Sequence, residues 1–496
     1  MVFIYSNTFA DNIVGTNGND ITYGWARSNY QCDVEQNASI LGCQEKSATN
    51  ITRPLTNFNL FANSSSNNFS SSKVIWEVSN ILTRKQDLPW FDDAEGKHVY
   101  RGKAGKGELE FWVASEAQAQ RPEAVAGEVA RTIIQNFDIR AVCMHLIYAA
   151  HVTALSQPWV EEFVLDDRQI ASCLGLDKRK DIKIQERLKL IERLALQPAQ
   201  ICTCLRWPAQ GRVGAFYIEK SKIWEIAISH YGQSDSSNKI KDTGLTIRGR
   251  AGLWAKYFLN RQGQAEGKAF YQYGVLSKKL LQTITKIWQH NEGAARMLAW
   301  LVFKTRLGSS QPLIASTLME VAYGANKVAA AQSNPESRTK LASTWDNDLL
   351  ILQESGWRIE FDPLTYPPEI QPDWKFAEAA RKQNKRPRGF WQQLRNGRVV
   401  VYPPPEIAAG LGELERNKLS LNQARSKPTP TEPEQQPQSL TKEEIKTVRE
   451  AKGWSQSRLA LEMGKSKMWV SLIERGLRQL KTVDQEKLRV VLNLDE

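Results

Sequence analysis

Between Thr441 and Gly476 the chain alternates helix caps, apolar stripes and closing glycines so closely that only a bundle of short helices fits. Thr441 followed by Glu444 is a capping box, in which two side chains satisfy the backbone amides left over at a helix start. Ile445 and Val448 give that helix an apolar stripe. Ser455 caps a second helix with Leu459, Ala460 and Met463 on one face. Gly464 closes it in the left-handed conformation that glycine adopts cheaply. Ser466 caps a third helix, with Val470 and Ile473 pointing inward and Gly476 at its end. Residues 440–496 are therefore expected to form an all-α domain.

The order Arg449…Gly453-x-Ser455-Gln456-x-x-Leu459-Ala460…Gly464-x-Ser466…Val470-Ser471-x-Ile473-Glu474-x-Gly476 resembles the lambda-repressor-like helix-turn-helix family, the Cro/cI or XRE type. The resemblance covers nearly all of 440–494. It implies a helix pair whose second member lies in the DNA major groove. It also implies that Arg449 pairs with Glu474, and that Gln456 meets a phosphate at a helix N-terminus, where anions are favoured. The recognition helix and its flanks would be Gln456, Ser466, Lys467, Met468, Trp469, Ser471 and Arg475. Lys467 could donate to guanine O6 or N7 and Met468 press on a thymine methyl. Trp469 and Leu472 depart from the commoner polar choices and could instead pack against sugar or a partner domain.

With 496 residues, 41% of them hydrophobic, the chain has room for two to four domains with real cores. A net charge of +12 favours a polyanionic partner. No apolar run approaches the roughly 20 residues of a membrane span. The opening MVFIYSNTFADN lacks the basic and apolar regions of a secretory signal. Six cysteines are too sparse for a disulfide framework. Cys202 and Cys204, two apart in a strand, share a face and fit packing better than metal. These features lead to the expectation of a cytoplasmic protein without membrane association or cofactor.

The expected fold class is mainly α with small β-hairpins (α+β). Residues 1–72 are rich in Asn, Ser and Thr and read as disordered. Gly15 to Tyr23 match one turn of a calcium-binding nonapeptide repeat, but a single copy cannot stack. The RGKAGKGE run after His98 reads as a charged turn between two strands. Residues 73–238 offer an apolar helix (139–155), a short helix capped at Asp166 or Asp167 and ending at Gly175, a third helix, and strands at 201–207 and 214–219. That is the element order of a winged helix. Lys178, Arg179 and Lys180 at the third helix and Arg212 at the hairpin tip stand where such a domain meets phosphates. The order repeats about 150 residues later, within 239–374.

Around 244–264, basic and aromatic residues interleave: Arg248, Arg250, Lys256 and Arg261 with Trp254, Tyr257 and Phe258. Nucleic-acid stacking and a packed helix with snorkelling basic residues suit that run equally. The segment 375–415 opens with eight basic residues to one acid by Arg398, and Arg381, Lys382, Lys385, Arg386 and Arg388 are its candidate DNA-backbone contacts. A Pro-rich linker, 416–439, leads to the C-terminal domain.

Together these features favour a sequence-specific double-stranded DNA-binding protein of the transcription-regulator kind. The alternative is a plasmid-type replication initiator, because tandem winged helices with a basic surface are similar to the initiators that grip repeated origin sites. A second copy of the chain and replication or transcription proteins are the further partners under either reading. Catalysis is not expected: no Walker motif or histidine metal pair is present, and His145 and His151, six apart on an apolar helix, read as core positions.

Overall fold

The computed structural model describes residues 4–6, 53–117, 124–209, 213–234, 240–270, 272–305, 311–376, 386–426, 440–476, 478, 480 and 482–494. The chain divides into a larger unit, Met1–Lys418, and a C-terminal unit, Leu419–Glu496. The structure is mixed α/β, with helices and several small sheets.

In the larger unit, β1 (Ile4–Ser6) and β2 (Ser66–Ser70) precede helix α1 (Lys73–Arg84). Residues 53–72 are thus folded, against the expectation of disorder; 1–3 and 7–52, including the nonapeptide match, lie outside the described residues. Their polar side chains explain why. The Asn67 amide donates to the Leu60 carbonyl at 3.0 Å, Asn57 Oδ1 accepts from Val164 N, and Arg53 pairs with Asp167 at 2.7 Å. Phe69 is fully buried, so this polar stretch still carries an apolar anchor.

A five-stranded antiparallel sheet follows, built from β3 (Trp90–Asp92), β4 (His98–Ala104), β5 (Gly107–Val113) and, beyond three helices, β7 (Ile201–Trp207) and β8 (Phe216–Lys222). The β4–β5 turn runs through Gly105 at φ +63°. Gly107 lies so close to the Trp207 ring that a Cβ would stand 2.2 Å from it. The Lys-Gly run is therefore a tight hairpin fitted to a tryptophan.

Helices α2 (Gly127–Gln135), α3 (Ala141–Thr153), α4 (Asp167–Leu174) and α5 (Ile184–Leu196) come between, with β6 (Phe163–Asp166) before α4. Every residue of α3 is buried. His145 within it donates from Nε2 to the Ile75 carbonyl and accepts from Trp224 Nε1, both at 2.9 Å. Burial holds its pKa down at about 4. Asp166 caps α4 with a capping box and Gly175 ends it at φ +72°, as the sequence indicates.

The long hairpin β9 (Trp224–Ser234) and β10 (Ile240–Ala251) joins β6 in a sheet of order β1-β9-β10-β6. The boundary expected at 238/239 therefore falls inside one hairpin. The predicted pair 201–207 with 214–219 does form a hairpin, but β7 pairs with β5 on its other side. All residues of β7 except Arg206 are buried, and a strand covered on both faces belongs in the middle of a sheet. The strand beside β6 is β10 instead.

The unit continues through α6 (Ala255–Phe258), α7 (Arg261–Ala265), β11 (Tyr273–Ser277), α8 (Lys278–Ile287) and α9 (Glu292–Lys304). Next come β12 (Leu313–Ile314), α10 (Ala315–Tyr323), α11 (Ala325–Ser333), α12 (Pro335–Glu354), β13 (Arg358–Phe361), α13 (Phe390–Asn396), β14 (Arg398–Tyr402) and α14 (Pro405–Ser426). β11 pairs with β2.

Two groups of elements share one plan. In α3-β6-α4-α5-β9-β10 the first strand pairs with the last and the last with the middle one; β12-β14-β13 after α9 repeats that order, with α10 and α12 in place of α4 and α5. The β7–β8 hairpin is an insertion in the first group. In the interleaved run of 244–264 the aromatic residues and Arg250 serve packing, while Arg248 and Lys256 are exposed. Trp254 and Phe258 are buried, Tyr257 stacks on Phe216 at 3.8 Å, and Arg250 pairs with Glu225 at 2.6 Å.

Candidate nucleic-acid interface

The C-terminal unit contains α15 (Lys442–Ala451), α16 (Gln456–Met463), α17 (Lys467–Glu474) and α18 (Thr482–Leu492). Each of the first three starts on its expected cap. Thr441 Oγ1 accepts from Glu444 N at 3.2 Å while Glu444 Oε2 accepts from Thr441 N at 2.8 Å. Ser455 caps Arg458 N and Ser466 caps Trp469 N, each at 3.2 Å. Gly464, at φ +66°, makes the turn that sets α17 against α16. Ile445, Leu459, Ala460, Met463, Val470 and Ile473 fill the core, and Leu488 and Leu492 of α18 close it.

A charged clamp locks α15 to the end of α17. Arg449 donates from Nε to Glu474 Oε1 at 2.5 Å and from Nη2 to Oε2 at 3.1 Å; its Nη1 donates to the Trp454 carbonyl at 2.7 Å. The two side chains are 8% and 3% exposed. Burial pushes Glu474 up, but the bonds from Arg449 and Gln456 hold its carboxyl below the usual range overall. The same pair raises Arg449 above its ordinary value.

The predicted site residues separate into three kinds. Lys467, Met468 and Arg475 are exposed and Ser471 is half-buried. At about 100° per residue, these four share one outward arc of α17 opposite Trp469, Val470 and Ile473. Ser466 is exposed, but its hydroxyl oxygen is the helix cap. One expectation needs correction. Trp469 is only 7% exposed because helical spacing turns it into the core with Val470 and Ile473, so it does not join the outer face. Gln456 donates from Nε2 to Glu474 Oε2 at 2.8 Å, so one N–H of its amide completes the clamp.

The larger unit gives a mixed outcome for its candidates. Lys178 and Lys180 are exposed, but in the turn before α5 and not on that helix, which begins at Ile184. Arg179 pairs with Asp181. Arg386 is held by Asp346 at 2.6 Å and reaches the Ile370 carbonyl at 3.4 Å, so this expected backbone contact is an internal tie. Arg388 is exposed. Arg212, Arg381, Lys382 and Lys385 lie outside the described residues.

Cys202 and Cys204 are buried beside Val99 and Trp112. Among the described residues no cluster of His, Cys, Asp or Glu could hold a metal ion, and no helix is long and apolar enough to cross a membrane. Comparison of the chain with protein-family models, with curated proteins and with solved structures finds no match.

Proposed function

We propose that the chain is a sequence-specific double-stranded DNA-binding protein, cytoplasmic and non-enzymatic, that acts as a transcriptional regulator through a Cro/cI-type helix-turn-helix. The observation that carries this reading is the outward arc of α17. Lys467, Ser471, Arg475 and Met468 stand together on a helix whose other side is fixed by a closed core and by the Arg449–Glu474 clamp. An ammonium, a hydroxyl, a guanidinium and a thioether on one short helix suit base edges, a thymine methyl and flanking phosphates. Rigid presentation supports specificity, because a reader held in one orientation spends little entropy on ordering.

A second reading has its own observation. The strand order β6-β10-β9, repeated as β12-β14-β13 behind equivalent helices, supports a reading of the larger unit as two winged helices. A plasmid-type replication initiator binding repeated origin sites would use such a pair. Footprinting of the full chain on the DNA flanking its own gene separates the two. A regulator protects a short dyad without opening it; an initiator protects several direct repeats and makes adjacent AT-rich DNA reactive to single-strand probes. Absence of any protected site would refute both.

A further inference from the structure

The helices α5 and α12 occupy the same place in the two repeated groups, yet their outward faces differ in chemistry. We infer that α12, and not α5, is the base-reading helix of the larger unit; the inference rests on the proposal above that the chain binds double-stranded DNA.

On α12 the exposed residues Glu336, Thr339, Lys340, Ser343, Thr344 and Asn347 recur at spacings of three and four, opposite buried Ala342, Trp345, Leu349 and Leu352. Ser, Thr and Asn are weak helix formers, and a merely solvated face would favour Glu, Lys, Arg or Gln. Their presence calls for another reason. The hydroxyls of Thr339 and Thr344 donate to the Pro335 and Lys340 carbonyls, each at 3.0 Å, which leaves their oxygen lone pairs outward. Ser343 and Asn347 have no side-chain hydrogen bond among the described residues and can both donate and accept. The face therefore offers both halves of the major-groove hydrogen-bond code.

Two of the acids on the same helix are taken up by the fold, while Glu354 stays exposed seven residues past Asn347. Asp346 is neutralised by Arg386, and Asp348 is buried, accepting from the Tyr323 hydroxyl at 2.7 Å. Glu336 sits in the first turn, where a carboxylate belongs to the helix terminus. Arg388, two residues past the Arg386 tie to Asp346, is exposed and offers a cation for a phosphate.

On the outward side of α5 several charged groups are tied into the fold. Arg193 pairs with Asp138 at 3.1 Å, Glu192 bonds His230 at 3.3 Å, and Glu186 accepts from Lys183 N at 3.4 Å.

The test is selection of binding sites from random duplexes by the full chain and, alongside it, by residues 440–496, which have a core of their own. The full chain should select a longer motif than the fragment. Ser343→Ala with Asn347→Ala in the full chain should relax the added positions at least about fivefold each. Gln185→Ala with Lys189→Ala should leave them intact. Both pairs shorten exposed side chains and raise helix propensity, so the variants should fold. The inference is overturned if the α5 pair relaxes the added positions, if the α12 pair does not, or if chain and fragment select the same motif. A motif selected by the full chain, relaxed only by the α12 pair and absent for the fragment, would sink the C-terminal reading and leave this one standing. Selection of nothing by either would sink both.

Discussion

In the C-terminal unit the first three helices each begin on a cap that bonds an amide within three residues, whereas in the larger unit β2 finds its partner β11 some 200 residues away. The first kind of structure is set by neighbours in the chain. The second is set by which distant surfaces can close over one another, and loop-closure entropy has to be met before such pairings return any stability. The contrast extends to charge. The clamp of Arg449 with Glu474 joins two helix ends inside a small core, while the ties of Arg53 to Asp167 and Arg386 to Asp346 fasten connecting segments onto a large one.

The sharpest way to break this comparison is to damage one core and watch the other. Trp345 is fully buried and its Nε1 donates to the Tyr366 hydroxyl at 3.1 Å. Trp345→Ala should destabilise the larger unit by about 3–5 kcal/mol. In calorimetry the transition of the C-terminal unit should stay where it was; a common shift of both would mean the cores are not separate.

Next in size is the clamp. Arg449→Ala strands a buried carboxylate and should cost the C-terminal unit about 3 kcal/mol, toward the low end for breaking a buried pair. Because Glu474 titrates below its ordinary value in the folded unit, its contribution is fully present above about pH 4.5 and is lost as the pH falls through the lower folded value. Thermal melts of Glu474→Gln should lack that acid loss. An unaltered acid profile would remove the clamp from the account.

Binding gives smaller effects. Lys467→Ala should weaken a selected site by roughly 1–3 kcal/mol, with a much smaller loss on random duplex. Equal losses on both would assign Lys467 to a phosphate. In the larger unit, Arg388→Ala should lower the slope of log affinity against log salt by about 0.9, the signature of one phosphate contact. Arg386→Ala should leave the slope as it was, since that guanidinium is engaged by Asp346. The reverse pattern would restore Arg386 as a backbone contact.

How far the sequence could be read follows the same division. The caps Thr441, Ser455 and Ser466 and the turn at Gly464 are readable from local spacing, and the pairing of Arg449 with Glu474 is what the resemblance implies. Trp469 turns inward because it stands four before Ile473 on the same helix, so its position and not its residue type decides where it points. The helices 141–153 and 167–174 are also readable from periodicity and capping. What periodicity does not carry is partner choice. Ile201–Trp207 reads as a strand, but only its burial on both faces puts it beside β5. The Ser/Asn run before Lys73 was read as disordered since composition says nothing about the Asn67 bond to Leu60 or the seat of Phe69. The exposed stripe from Glu336 to Asn347 depends on which face of the helix is covered and on ties such as Arg386 to Asp346, which spacing alone does not carry.

The account stands most directly on residues 440–496 studied alone by circular dichroism and by equilibrium binding to duplexes selected from a random pool. It predicts a cooperative thermal transition and a short preferred duplex whose advantage over random DNA shrinks when Lys467 becomes alanine. A fragment without ordered helices, or one that binds every duplex alike, would contradict it.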